Sequence, residues 1–338
     1  MARSAGISIR DVARRAGVST TAVSYVLNGK GAISEATRAR VKAAADDLGY
    51  QADAFARGMR QGRIGAIGLV LRSLDVLGDY TPAGVDAFER FAGIVSAKAL
   101  ARGLSITLLP DLLRRPVPPL AFSMDGYIIM NPHEDDAVAA LLELRGIPYV
   151  CYGRIPARPE FTRWAAEDNP LAARQLLAHF EAAGAREVVL VPGTDRNAWN
   201  HDFLQEYLAW CERHGVVPRV HEQPARSGVD GGLEAGARIL AGGIPEAVLC
   251  LTGRHAAGVQ QAFLAAGIDI PGQAMIAAAS DSEYARSSTP AITALDLDPA
   301  GCADALLDML QELLTTGSAA GPRRKKAGLK YRASTRRE

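Results

Sequence analysis

Cysteine is scarce in this chain: Cys151, Cys211, Cys250 and Cys302 are the only four among 338 residues. None belongs to a CxxC or to a Cys/His group at metal-ligand spacing, which excludes zinc modules and a disulfide framework. Buried thiols in a reducing compartment are the expectation. Long apolar runs are also missing. No stretch reaches the 18 or so residues of a membrane-spanning helix, and the beginning of the chain reads as an arginine-containing helix start, not a signal peptide. The signatures of common enzymes are absent as well. There is no GxSxG elbow, HExxH, P-loop or GxGxxG, and the pairs His201-Asp202 and Ser280-Asp281 stand alone, without an elbow or ligand spacing. Neither enzyme activity nor a metal or cofactor is expected.

What is present is a large apolar fraction, 48%, with charges of both signs. That composition fits a folded, soluble protein with a sizeable core, and the length suits two or three domains. The net charge of +1 conceals a division. Residues 1–63 carry 11 Lys and Arg against 5 Asp and Glu, and residues 323–338 carry 8 against 1, leaving 19 against 31 for 64–322. A basic head on an acidic body suits nucleic-acid contact confined to one end.

The head is the most legible stretch. Ser8 opens a first helix with Asp11 three residues on, an acidic variant of the capping box. Val12, Ala13 and Ala16 share one face, and Gly17 supplies the left-handed turn. Ser19 caps a second helix in which Ala22, Val23, Val26 and Leu27 form the inward stripe. Thr20, Thr21, Ser24, Tyr25 and Asn28 then face outward. Short polar side chains with one tyrosine suit reaching base edges in a major groove. A third helix starts at the Ser34 cap, buries Val41, Ala44, Ala45 and Leu48, and stops at Gly49.

The run DVARRAGVSTTAVSYVLNG, residues 11–29, resembles the N-terminal helix-turn-helix of the LacI/GalR family of transcription regulators. The resemblance implies DNA contacts by Ser8, Ser19, Thr20, Thr21, Ser24, Tyr25 and Asn28. It also implies that residues 51–63, QADAFARGMRQGR, are a hinge helix that folds when two subunits pair on an operator. Read without the family, the same stretch is a flexible linker, since so short a helix containing Gly58 is marginal in water. By the resemblance Met59 is the minor-groove wedge where relatives commonly have Leu, Ala56 lets the two hinges approach, and Arg57 and Arg60 suit phosphates.

From Ile64 onward apolar strand-like runs alternate with amphipathic helices: IGAIGLVL, LSITLLP, DGYIIM, IPYVCYG, EVVLVPG, AVLCLTG and MIAAASD. This rhythm implies doubly wound parallel sheets with right-handed crossovers. Two such halves resemble the periplasmic-binding-protein-like effector domain of the same family. The expected architecture is therefore a small all-α head (1–50), a hinge (51–63) and a two-lobed α/β domain (64–338). Lobe 1 is expected over about 64–160 plus part of 295–338, and lobe 2 over about 161–294. The basic segment 326–335 resembles the final strand, its charges read as a solvated surface.

Ligands of such sheets sit at the carboxyl ends of the strands, which singles out Asn131, Arg154, Asp168, Asn197, Trp199, Asn200 and Asp281. Asp168 matches an acidic residue that relatives turn towards the ligand, but an Asp before a helix is equally an N-cap. The second lobe departs from the family: Phe203 lies near the position of a ligand-gripping Arg, Thr252-Gly253 replaces Asn-Asp, and Ser280-Asp281 replaces Asp-Asp. In their place TDRNAWNHD (194–202) offers Trp199 to stack on a ring, unless that stretch is a solvated loop. The resemblance implies a repressor that binds a pseudo-palindromic DNA operator as a homodimer or tetramer in the bacterial cytoplasm. A small sugar-like or nucleoside-like effector would bind between the lobes, with no membrane partner. The alternatives are a solute-binding protein, or a regulator whose cleft is degenerate and takes no effector.

Overall fold

The computed structural model describes residues 7–27, 31–50, 63–71, 87–113 and 116–336. The chain divides into a unit comprising Met1–Gly65 and a larger one comprising Ala66–Glu338. The hinge reading of 51–63 lies, apart from Arg63, outside the described residues, as do Asn28, Ala56, Arg57, Met59 and Arg60.

The head has three described helices, α1 (Ile9–Ala16), α2 (Thr20–Leu27) and α3 (Glu35–Asp47). Their shared core is Val12, Ala13, Ala16, Val23, Val26, Val41, Ala44 and Ala45, the set that helical periodicity selects. Gly17 closes α1 at φ +64°, a conformation that costs an L-residue and not glycine. With small side chains predominating, the burial is modest, and an ion pair from Arg15 to Asp47 at 3.0 Å links α1 to α3.

The larger unit contains two six-stranded sheets. The first is built from β1 (Ala66–Val70), β2 (Ser105–Leu109), β3 (Gly126–Met130), β4 (Tyr149–Tyr152), β5 (Trp164–Glu167) and β11 (Arg323–Lys325). Its order is β11-β5-β4-β3-β1-β2, and every described pairing is parallel. The second holds β6 (Val188–Val191), β7 (Arg219–Val220), β8 (Ala247–Cys250), β9 (Met275–Ala278), β10 (Thr293–Asp296) and β12 (Gly328–Lys330). There the order is β12-β10-β9-β8-β6-β7, with only β12 antiparallel. Strands β1, β3, β6, β8 and β9 are buried throughout, as strands covered by helices on both faces must be.

The helices of the first lobe include α4 (Ala87–Ala101), α5 (Ala137–Leu144) and the long return helix α11 (Pro299–Thr316). The second lobe carries α6 (Asn169–Ala182), α7 (Ala198–His214), α8 (Gly228–Ala241), α9 (Gly253–Ala265) and the short α10 (Glu283–Ser287). The boundaries differ from the sequence reading in three places. Residues 161–167 belong to the first lobe, because β5 pairs with β4, so the chain crosses after Glu167. It crosses back after β10 and again between β11 and β12. The stretch 194–202 is not a solvated loop beyond its first residues: α7 begins at Ala198, capped by Asn197, whose side chain accepts the Asn200 N–H. The basic C-terminal segment is not all surface either, since Ser334 and Thr335 are buried against β9 and β10.

Helices α8 and α9 cross through glycines. A Cβ at Gly258 would lie 2.1 Å from the Val229 carbonyl oxygen and 2.7 Å from the Gly232 Cα, both backbone atoms that cannot step aside. Gly258→Ala is therefore expected to lower the stability of the two-lobed unit by at least the roughly 1–3 kcal/mol of an overpacked core. Gly93→Ala in α4, where a Cβ meets nothing within 4 Å, should be neutral or stabilising. Urea unfolding of both variants reads the contrast; equal midpoints would contradict the crossing.

Candidate functional site

The outward face of α2 is the first site. Ser19 Oγ accepts the Ala22 N–H at 3.1 Å, which starts the helix directly after the turn. Thr20 and Thr21 are exposed on its first turn, Ser24 is half-buried, and Tyr25 is 46% exposed. The Tyr25 ring lies over the Gly31 backbone, where a Cβ would come within 3.0 Å of the ring, so its position is set by the chain that follows α2. Ser8 and Asp11 form the capping box expected from the sequence, and the Ser8 carbonyl accepts the Asp11 N–H at 2.9 Å. Ser8 donates both its hydroxyl, at 2.7 Å, and its backbone N–H, at 2.9 Å, to Asp11. The Ser8 hydroxyl is the main reason the Asp11 carboxyl is held below its ordinary range. Ser19→Ala should cost the head about 1 kcal/mol and weaken operator binding, while Ser19→Asn keeps a capping oxygen and restores it. Equal loss in both variants would mean that the hydroxyl acts on DNA alone.

The second site is a cavity of about 220 Å³ between the lobes, somewhat smaller than the roughly 300–1,000 Å³ of typical small-molecule sites. It lies where the strand-end rule places it. Met130 ends β3 and Asn131 follows it, Gly193 follows β6, Leu251 and Thr252 follow β8, Ser280 and Asp281 follow β9, and Leu297 follows β10. Trp199 enters from the first turn of α7, its ring tilted against Phe203 at 4.7 Å. Opposite it, Phe91 stacks on Tyr152 at 4.2 Å. A smaller cavity of about 30 Å³ adjoins, shared by Asn131, Tyr152 and Trp199.

Several lining groups are already engaged. Asn200 accepts the Gly193 N–H at 2.9 Å and donates to the Asp195 carbonyl at 2.9 Å, so it shapes the loop. Asp281 is 6% exposed at its side chain and lies between Arg332 (2.8 Å), Arg286 (2.9 Å) and Lys330 (3.6 Å). The family-typical acidic position is thus spent on holding the C-terminal segment. Thr252 caps α9 by accepting the His255 N–H at 3.2 Å, which leaves its hydroxyl proton for a ligand. Asn131, at φ +43°, presents an amide beside Gly153.

Two sequence-selected residues lie elsewhere. Asp168 caps α6 by accepting the Leu171 N–H at 3.2 Å, with Arg324 at 3.8 Å, and lines neither cavity; of the two readings the cap is the one realised. Arg154 lines only the smaller cavity and reaches across the lobes to the buried Asp202 and to His201 (3.1 Å). Asp202 is also held by Asn169 at 3.1 Å. A second set of contacts crosses the cleft nearby, the bridge His133–Asn197 and the ion pair Glu134–Arg196. Phe203, placed by sequence near a ligand-gripping position, is fully buried in the core of the second lobe; the cavity is met one helical turn earlier, by Trp199 and Asn200.

Sequence reasoning missed Arg90, His133 and Arg254, which also line the cavity, while Asp195 lies in the stretch 194–202 that it singled out. His133 and Arg254 sit in a loop and a first helical turn just after a strand, a signal the strand-end rule contains if it is extended past the strand. It missed Glu167 too. This buried carboxyl at the end of β5 accepts the Tyr152 hydroxyl at 2.8 Å, and burial pushes it above its ordinary range.

The sequence of the head and the two-lobed cavity meet in one comparison. A family model described as bacterial regulatory proteins, lacI family, matches residues 8–53, and one described as a periplasmic binding protein-like domain matches 177–335. The chain belongs to the LacI family. As a LacI-family member it is a DNA-binding transcriptional regulator. It is 29% identical over 302 residues to the HTH-type transcriptional repressor PurR of Proteus mirabilis (strain HI4320), covering 85% of this chain and 84% of that one. It is 30% identical over 223 residues to the maltose regulon regulatory protein MalI of Escherichia coli (strain K12), covering 64% and 62%. In fold it resembles the crystal structure of the Lac repressor dimer bound to operator and an anti-inducer, with a TM-score of 0.82 at 21% identity over 97% of this chain and 99% of that one. No helix among the described residues is long and apolar enough to cross a membrane.

Proposed function

We propose that this LacI-family protein is a repressor that acts as a homodimer on a pseudo-palindromic operator in the bacterial cytoplasm, with a small hydroxylated metabolite in the interlobe cavity setting its DNA affinity. The observation that carries the reading is the capped helix α2 with its exposed Thr20, Thr21 and Tyr25 on a compact three-helix head. Twofold symmetry of the protein predicts twofold symmetry of the site. Pairing is supported by Leu100, Leu108 and Leu113, all exposed, in the stretch that ends α4, forms the edge strand β2 and leaves it. An apolar sheet edge of this kind is a surface that a partner covers.

The cavity supports an effector over an effector-independent cleft. Trp199 offers an aromatic face, and Asn131, Asn197, Thr252 and Ser280 present polar groups suited to hydroxyls. A ligand touching both lobes favours one interlobe arrangement, and that preference is the free energy available to change DNA binding. Fluorescence anisotropy on the region upstream of its own gene, with a salt series, tests the first half. Tight binding there and weak, steeply salt-dependent binding to random DNA is expected. Indistinguishable affinities would remove the function.

A further inference from the structure

We propose that Gly31 is a specificity-determining residue of the head that acts through Tyr25: its bare backbone is the platform that holds the tyrosine ring in one orientation before DNA arrives. This rests on the reading of α2 as the base-reading helix. Val23 and Val26, buried in the head core, fix the rotation of α2 and so the outward direction of the Tyr25 Cα–Cβ bond. The ring then lies over Gly31. A Cβ at that residue would stand 3.0 Å from Tyr25 Cδ2, 3.4 Å from Cγ and 3.6 Å from Cε2, so the ring takes the space that any other side chain would fill. The Tyr25 hydroxyl makes no hydrogen bond among the described residues, and the residue is 46% exposed.

The platform itself is tied to the core. Gly31 stands at φ +77°, a backbone region that favours glycine, and its carbonyl accepts the Ile33 N–H at 3.1 Å. Ile33 packs on the head core, and Ser34 caps α3 by accepting the Thr37 N–H at 3.4 Å. The entry to α3 thus places Gly31, and Gly31 places the ring. A ring already held in one orientation spares the complex the cost of immobilising it. With a Cβ at position 31 the half-exposed ring swings to another staggered rotamer. DNA must then select the reading rotamer from a mixture, and the affinity falls by the fraction that rotamer occupies. Only the base pair that Tyr25 prefers registers the loss, because on a mismatched pair the ring has no good contact to lose.

The test uses the full-length protein, an operator selected from random DNA, and fluorescence anisotropy on that operator and its single-base variants. Tyr25→Ala should lose discrimination at one base pair of the half-site, which marks the pair that the tyrosine reads. Gly31→Asn, whose side chain tolerates a left-handed backbone, should lose roughly two- to tenfold of the discrimination at that same pair and none elsewhere. Gly31→Ala, with the same Cβ and a different remainder, should do likewise. In the Tyr25→Ala background neither substitution should change discrimination further. Uniform loss across the half-site, unchanged discrimination, or loss that persists without the tyrosine would each overturn the inference, the last by showing that position 31 meets DNA itself. Loss of all specific binding in both Gly31 variants would overturn it too, since the glycine would then serve the fold. If Tyr25→Ala alters no base pair while the natural chain still binds its operator specifically, the inference fails and the function stands. If the natural chain shows no specific binding, both fail.

Discussion

Asp281→Ala is expected to lower the unfolding free energy of the two-lobed unit by about 3–5 kcal/mol, the scale for breaking a buried ion cluster from one side. The Asp281 side chain is 6% exposed, and its two oxygens are taken by Arg332 and Arg286. Arg332 is itself 16% exposed, donates its backbone N–H to Thr293 Oγ1 at 2.8 Å and uses its second terminal nitrogen on the Ile292 carbonyl at 2.7 Å. Removing the carboxylate leaves that guanidinium buried without its counter-charge and loosens the C-terminal segment from β10. Asp296→Asn supplies the contrast, because the Asp296–Lys330 pair is half-exposed and solvent screens it to at most about 1 kcal/mol. Arg332→Ala should resemble Asp281→Ala, and the double variant should fall well short of additivity. Urea unfolding of the four proteins decides it. If Asp281→Ala and Asp296→Asn move the midpoint alike, Asp281 does not staple the lobe and is free to serve a ligand.

Tyr25→Arg is expected to change the operator, not merely weaken it. Tyr25 projects from the outward face of α2, 46% exposed, with its ring lying over Gly31. Tyrosine offers one hydroxyl and a ring that can meet a thymine methyl, whereas arginine grips guanine through two hydrogen bonds. Each good bidentate contact discriminates by about 1–3 kcal/mol, so a two-fold site changes by roughly the square of a five- to 150-fold factor. Selection from random DNA should return one half-site for the natural chain and a guanine-bearing one for Tyr25→Arg. Tyr25→Phe separates the hydroxyl from the ring. Coincident selected sequences for all three would mean that Tyr25 does not read bases.

The head was legible because its signals are local. Ser19, Gly17 and Ser34 sit within one turn of the backbone groups they serve, and the apolar spacing of α1, α2 and α3 selects the same residues that pack together. The alternation of strands and helices in the body was legible for the same reason, since strands buried on both faces read as continuous apolar runs. Strand β5 was not legible. WAAE is short, and only its pairing with β4 and β11 makes it a strand and puts it in the first lobe. The start of α7 was misread because the cap at Asn197 stands in a polar stretch that looks like a loop.

For the cavity, the order of strands was enough to say which loops meet. It was not enough to say what each side chain does there. Asp168, Arg154 and Asp281 are all polar residues near strand ends, and by spacing they are equivalent. The fold assigns Asp168 to a helix cap, Arg154 to the other lobe and Asp281 to three cations supplied by residues 286, 330 and 332. It leaves Arg90, Asp195 and Thr252 facing the space. The sequence by itself determined the DNA-reading head, the family and the two-lobed plan, because capping, periodicity and strand alternation act over a few residues. Only the tertiary structure decided which polar groups are spent on the protein and which remain for a ligand. That distinction depends largely on partners 33 to 202 residues away in the chain, from Asn169–Asp202 to His179–Thr335 and Arg102–Asp304, and no local rule counts them.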